Sequence, residues 1–321
     1  MHYSHVHKTP IHPPVTYSKQ LISLGSCFAD QIGQKLKGHR FNIECNPYGV
    51  VYNPYTLCTQ LRRSIDDVSP NSAGFLINDD IWYHHDYHSS INSESKEELL
   101  HKLNNLNEVV KEQLASADYL ILTLGSAMVY RHTGFNLMVG NCHKVPQSQF
   151  TQEMLSARDI STRLSSTLAG IWDFNPHLNV ILTVSPVRYL KDGAIHNTRS
   201  KAQLITSAML LEERHQQVTY WPAYEIFMDQ LRGYRWVESD LVHPNAVAVD
   251  IIWEAFVQSA MAEQTINILD RVVKLNAQIA HRPFNPRSAS HQKFVDSLTT
   301  RILAFNEEYP DIPLSVNEII V

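Results

Sequence analysis

The chain has 321 residues, and its 27 lysines and arginines against 32 aspartates and glutamates leave a formal net charge of −5. No basic block occurs along the chain, which argues against a nucleic-acid partner because phosphates are bound mainly by clustered lysine and arginine. No apolar run approaches the ~18 residues of a membrane span, and the first residues form no apolar export segment. We therefore expect a cytoplasmic protein without a membrane partner, with its four cysteines as free thiols.

Short apolar runs that end in Gly, Ser or Pro alternate with helical stretches, a pattern typical of an α/β domain on a mostly parallel sheet. In chain order the sequence predicts a strand at 19–25, a helix at 27–37, a hairpin turning at 78–80, a helix at 95–117, a strand at 118–125, a hairpin turning at 133–134, a helix at 156–174, a strand at 179–185, a helix at 200–216, a weaker strand at 217–220 and a helix at 247–262. Two more helical stretches follow, at 266–279 and 290–306. We expect a main domain over 1–262 and a helical appendage over 263–321 that packs on it.

The most distinctive local motif lies where the first strand turns into the first helix, at residues 24–30. A side chain at this place projects at the carboxyl edge of the sheet, close to helix N–H groups that can stabilise an oxyanion. Ser26 is either a nucleophile or the helix N-cap, a position that serine favours. Cys27 is an alternative nucleophile, since a helix N-terminus lowers a thiol pKa, unless it is a buried apolar filler.

A second motif, Asp240-Leu-Val-His243-Pro244, precedes the helix at 247–262. Asp and His three residues apart on one turn can place the carboxylate against one imidazole nitrogen, while the other nitrogen faces a nucleophile. The alternative is an aspartate that caps loop amides and a histidine that serves the turn before proline. The joint occurrence of this pair with Ser26 favours a catalytic interpretation.

The run Gly-Ser-Cys-Phe-Ala at 25–29 resembles the signature of the GSCFA family, which is similar to the SGNH (GDSL-type) hydrolases. Up to the helix after His243, the resemblance runs through the segments 46–50, 123–125, 141–144, 185–188 and 199–202. It implies a three-layer α/β sandwich, SGNH-hydrolase-like or flavodoxin-like, that hydrolyses or transfers an acyl ester through a covalent acyl-enzyme.

The resemblance also implies residue roles. Ser26 corresponds to the nucleophile, His243 to the general base and Asp240 to the partner that orients it. The N–H groups of Ser26 and Gly49 correspond to the oxyanion hole.

One segment departs from the pattern of those hydrolases. Gly125-Ser126-Ala127 has alanine where they carry asparagine, and a lost oxyanion donor typically costs about 10²–10³ in rate. Asn141 is either its replacement or a structural loop residue. A non-catalytic binding or scaffold protein on the same fold is therefore the alternative function.

The remaining candidates concern ligands. A cationic rim for an anionic group of the substrate is one interpretation of four basic residues, and ordinary surface charges are the other: Lys144, Arg188, Arg199 and Lys201. The cluster at 83–88, together with His143, has donor types that suit zinc, and strand alternation would put His84, Asp86 and His88 on one face. Such spacing is a weak signal, so we expect no metal. The resemblance implies no cofactor, and a small-molecule or carbohydrate acyl ester as the substrate.

Overall fold

The strand-to-helix alternation builds a five-stranded parallel sheet in the computed structural model, which describes residues 5–319 and at residue 192 the backbone only. In chain order the strands of this described part are β1 Gln20–Gly25, β2 Asn42–Cys45, β3 Phe75–Asn78, β4 Ile81–His84, β5 Tyr119–Leu124, β6 Met128–His132, β7 Leu137–Val139, β8 Phe150–Met154, β9 Asn179–Val184 and β10 Val218–Tyr220. The central sheet has the order β10-β9-β5-β1-β2, and each neighbouring pair is parallel. The strand order reverses direction between β1 and β5, the kind of switch point at which α/β sheets form their binding sites.

Helices cover both faces of this sheet, which confirms the predicted three-layer α/β sandwich. The helices of the described part are α1 Cys27–Gly38, α2 Pro54–Ile65, α3 Lys96–Ser116, α4 Ala157–Trp172, α5 Ala194–Arg214, α6 Ala223–Glu225, α7 Ala246–Ala260, α8 Glu263–Ile279 and α9 Ala289–Glu308. The apolar sides of α2 to α5 pack on one face of the sheet, and those of α1 and α7 pack on the other. Within the described residues, no helix combines the length and apolar character that crossing a bilayer requires.

The central strands are buried on both faces because successive side chains enter different cores. In β1, Ile22 and Leu24 belong to the apolar cluster shared with α2 to α5, whereas Leu21 belongs to the cluster shared with α1 and α7. In β5, Leu120 likewise belongs to the cluster shared with α2 to α5, and Ile121 belongs to the cluster shared with α1 and α7. Burial on both faces explains why these strands are continuous apolar runs in the sequence.

Two antiparallel inserts lie outside the main sheet, the hairpin β3-β4 and the three-stranded β7-β6-β8. The hairpin turns predicted at 78–80 and 133–134 are confirmed. The sequence interpretation missed β2, β8 and α2. A start signal for α2 was present, since the Asn53 side chain accepts the Thr56 N–H at 2.8 Å and Pro54 occupies the first turn.

The C-terminal helices α8 and α9 form an apolar cluster of their own with the residues that follow them, and Leu298 and Phe305 are buried in it. Two contacts join this part to the end of α1. Asn276 Nδ2 donates to Gly38 O at 2.8 Å, and Arg40 forms an ion pair with Glu318. The boundary predicted after residue 262 falls at the junction between α7 and α8 and stays a prediction.

Gly25, the last residue of β1, has no room for a side chain. Its φ of +136° favours glycine, and an added Cβ would lie 2.1 Å from Thr123 O on β5. We expect Gly25→Ala to lower the free energy of unfolding by about 3 kcal/mol or more, measured by urea titration. Gly38→Ala is the matched control, because its added Cβ meets nothing within 4 Å, and it should be neutral or slightly stabilising. Equal stability of the two variants would contradict this prediction.

Candidate active site

The turn from β1 into α1 is held by contacts with two neighbouring segments. Gly25 N–H donates to Asn46 Oδ1 at 2.7 Å, and Ser26 N–H donates to Thr123 O at 3.1 Å. Asn46 Nδ2 in turn donates to Asp30 Oδ1 at 2.8 Å, in the first turn of α1. The start of α1 is therefore fixed at the carboxyl edge of the sheet, beside the end of β5.

Ser26 is the N-cap of α1. Its Oγ accepts the Phe28 N–H at 3.3 Å, and the residue is only 1% exposed. Capping directs the hydroxyl back toward the first turn of the helix. Of the two roles that the sequence allowed for Ser26, the structure therefore shows the helix cap.

Cys27 begins α1, and its thiol faces the second motif. Cys27 Sγ lies 3.9 Å from His243 Nε2, although the two residues are 216 positions apart. The distance is at the loose end of hydrogen-bond range, as is common in ligand-free sites. The structure therefore brings the thiol of Cys27 into contact with His243 Nε2, where the sequence interpretation had placed the hydroxyl of Ser26.

His243 and Asp240 form the pair that their spacing predicted. His243 Nδ1 lies 2.6 Å from Asp240 Oδ2. The Val242 and His243 N–H groups donate to Asp240 Oδ1 at 2.8 and 3.0 Å. The backbone N–H of His243, its ring and the Val242 N–H lower the pKa of Asp240 to about 2. Asp240 is therefore ionised throughout the neutral range and orients the ring so that Nε2 faces Cys27.

The electrostatic surroundings of Cys27 keep it protonated at rest. Burial raises the pKa of its thiol, while the ammonium of Lys201 and the N–H of Phe28 act in the opposite direction. Because the net effect is a raised pKa, the resting group near neutral pH is a thiol rather than a thiolate. Its activation requires a base, and His243 is in position to serve.

The oxyanion hole expected from the resemblance is not formed by the predicted amides. Ser26 N–H is bonded to Thr123 O, and Gly49 N–H closes a tight turn on Asn46 O at 2.7 Å. Neither group can meet an oxyanion without breaking that bond. Asn141 Oδ1 accepts the N–H of His143 at 2.9 Å, and none of the contacts in the described residues joins Asn141 to Cys27 or His243.

The four basic residues do not form one rim. Arg188 lies beside the His243 loop, where Nη2 donates to Leu241 O at 2.8 Å, and it lines a cavity of about 580 Å³. Lys144 and Arg199 are exposed, and no contact of the described residues links either to Cys27. Lys201 is buried, which contradicts its assignment to a surface rim.

The histidine cluster at 83–88 is part of the packing between the two inserts. The chain turns after His84, so that His85 Nδ1 bonds Asn141 O at 2.8 Å and His143 Nε2 bonds His84 O at 3.0 Å. Burial lowers the pKa of His84 and of His143 to about 4, so both are neutral at pH 7. No group of three or more His, Cys, Asp or Glu in residues 5–319 is arranged to hold a metal ion.

Replacement of Ser26 measures how much the N-cap contributes to the free energy of unfolding. Ser26→Ala removes the acceptor for Phe28 N–H, and we expect it to lower the free energy of unfolding by about 1 kcal/mol. Ser26→Asn restores a capping oxygen and should recover most of this loss. Urea titration of both variants checks the prediction, and an alanine variant as stable as the wild type would show that the cap contributes nothing.

No curated protein matches the chain. Residues 20–256 match the model of the GSCFA family, and residues 272–319 match the model described as GSCFA domain protein, C-terminal domain. The first match contains Cys27, Asp240 and His243 and runs from β1 into α7. Because this match alone covers well over half of the sequence, the protein belongs to the GSCFA family.

Proposed function

We propose that this protein is an ester hydrolase or O-acyltransferase that works through a covalent acyl-enzyme on Cys27. His243 is the general base and Asp240 is the partner that orients it. The observation that carries the proposal is the position of the imidazole, with Nδ1 on Asp240 at 2.6 Å and Nε2 facing Cys27 Sγ at 3.9 Å. The resemblance to SGNH hydrolases, seen in the sequence, supports the same class of reaction with the nucleophile one residue earlier.

The reaction balances with these groups alone. Cys27 Sγ attacks the acyl carbonyl carbon while its proton passes to His243 Nε2. When the tetrahedral intermediate collapses, the ester C–O bond breaks and His243 returns the proton to the leaving alkoxide. Water or a second hydroxyl then attacks the thioester, gives its proton to His243, and the proton returns to the sulfur as the thiol leaves.

The start of α1 also supplies a donor for the oxyanion. Cys27 occupies the first helical position, whose N–H has no acceptor within the helix. Among the described residues, no backbone carbonyl outside the helices and strands accepts this N–H, and the N–H favours the thiolate of its own side chain. An amide at a helix N-terminus is suited to a developing negative charge, so Cys27 N–H takes the role that the resemblance had assigned to Ser26 and Gly49.

A cavity beside the His243 loop offers room for the substrate. Its wall includes Arg188, which holds Leu241 O, and Val237, which bridges to Pro244 next to His243. Tyr224 and Phe227 add apolar surface. Neither Cys27 nor His243 lines this cavity, so it would take the part of the substrate remote from the ester, where Arg188 can pair with an anionic group.

Turnover of esters by matched variants tests the nucleophile. A panel of aryl esters and acetylated sugars should be hydrolysed by the wild type under reducing conditions, with acylation of the peptide that contains Cys27 detected by mass spectrometry. We expect Cys27→Ala to abolish turnover and Ser26→Ala to retain most of it. His243→Ala should lower the rate by several orders of magnitude, because nucleophile and base act as a unit.

Each other outcome of this experiment has a definite meaning. Loss of turnover in Ser26→Ala with retention in Cys27→Ala would restore the serine nucleophile predicted from the sequence. A folded wild type that neither hydrolyses the panel nor is acylated would reject the enzyme in favour of the binding or scaffold protein.

The role of Asp240 is tested by the pH dependence of kcat/KM. Because its pKa is about 2, Asp240 stays ionised above roughly pH 3, and no loss of activity between pH 4 and 7 should arise from it. Asp240→Asn should lower kcat by about 10³-fold or more across this range. An asparagine variant with wild-type kcat would contradict the orienting role.

A further inference from the structure

Lys201 is the feature that neither the packing nor the reaction above explains. It lies within α5, is 2% exposed, and is among the largest fully buried side chains of the described residues. Its ammonium donates to Gly125 O at 2.8 Å and to Ser185 O at 2.7 Å. These carbonyls directly follow β5 and β9, so the head group lies at the carboxyl edge of the sheet.

The ammonium of Lys201 has no acidic partner. None of the ion pairs in the described residues includes it, and its other close neighbour is the ring of Tyr224, with the centroid 5.7 Å away. A buried charge without a counterion is costly, and burial lowers the pKa of Lys201 to about 7. An apolar side chain would fill the same space at lower cost, and a buried titratable group at a sheet edge that carries a site is a functional candidate.

Lys201 and Cys27 belong to the same part of that edge. Gly25 pairs with Thr123 across β1 and β5. Cys27 lies two residues beyond Gly25, and Gly125, whose carbonyl Lys201 holds, lies two residues beyond Thr123. The charge of Lys201 acts on the thiol in the direction opposite to burial, and it is the largest influence in that direction. The thiolate of Cys27 favours the charged form of Lys201 in return.

We propose that Lys201 is a positioning residue of the active centre, whose buried ammonium ties the carboxyl ends of β5 and β9 together and favours the thiolate of Cys27. The carbonyl anchors hold two of its N–H groups, so the charge stays at a constant place. As His243 removes the proton from Cys27, negative charge develops on sulfur, and Lys201 in its protonated form stabilises that charge from a fixed position. This inference rests on the proposed function only in taking Cys27 as the nucleophile.

The test measures ionisation of Cys27 without turnover. Alkylation of Cys27 by iodoacetamide is followed against pH in the folded full-length protein, with the modified peptide quantified by mass spectrometry. Only the thiolate reacts, and Lys201 is mostly charged only below its pKa of about 7. Lys201→Met should therefore move the Cys27 profile to higher pH and slow alkylation at pH 6 by about threefold or more. Lys201→Arg keeps the cation and should stay close to the wild type. Cys142 in the same samples is the internal reference and should not change.

The outcomes separate this inference from the proposed function. A Cys27 profile that is the same in wild type and Lys201→Met overturns the role of Lys201, whatever the ester panel shows. A profile in Lys201→Arg that moves as far as in Lys201→Met also overturns it, because the charge would then be irrelevant. A shifted profile in a protein inert to esters keeps the electrostatic coupling and rejects only the reaction.

A reciprocal measurement applies if the neutral variant does not fold. The titration of the Lys201 amine, followed by NMR in protein labelled at lysine, is compared between Cys27→Ala and Cys27→Asp. Because the Cys27 thiol is protonated where Lys201 titrates, a fixed carboxylate stands in for the thiolate, and the midpoint for Lys201 should be higher in Cys27→Asp than in Cys27→Ala. An unchanged midpoint would overturn the inference.

Discussion

The backbone contact between Gly25 and Thr123 decides how the rest of the site is arranged. Thr123 O occupies the space of a Gly25 side chain and also accepts the Ser26 N–H at 3.1 Å. The chain must leave β1 in a conformation that favours glycine and enter α1 at once. Ser26 then becomes the cap, and Cys27 becomes the first helical residue that faces His243. One contact between parallel neighbours thus selects which of two adjacent side chains, Ser26 or Cys27, lies against His243.

The loop after β2 holds this arrangement from the other side. Val51 N–H donates to Gly25 O at 2.8 Å, while Tyr52 O accepts the N–H groups of Gly125 and Ser126 at 2.8 and 2.9 Å. The loop therefore bridges the ends of β1 and β5 at the switch point of the sheet. An oxyanion donor was expected from this loop on the basis of the sequence, whereas its backbone groups hold the ends of the two strands together. Such contacts fix the start of α1, as a preorganised site requires.

Asp240 and Lys201 lie in opposite environments. Asp240 is open to solvent and keeps its charge because three N–H bonds favour the carboxylate. Lys201 is enclosed, and burial favours its neutral form. Environments that separate the pKa values of titratable groups in this way are typical of sites where protons are transferred. Cys27 is half-buried and rests protonated. In the proposed mechanism Asp240 acts on its ionisation through His243, and Lys201 acts through its charge.

The sequence alone was sufficient to predict features that depend on residues close together in the chain. The apolar runs of β1, β5 and β9 are buried on both faces, and the pair Asp240 and His243 is formed within one turn, so both could be predicted. β2 has only four residues and no apolar periodicity, and the sequence does not reveal which amides its loop will occupy. The choice of Cys27 over Ser26, the engaged amide of Gly49 and the burial of Lys201 depend on residues far away in the chain, such as Thr123 and Ser185. Hydrogen-bond partners and burial are set by strand register and helix packing, and these exist only once the sheet has been assembled.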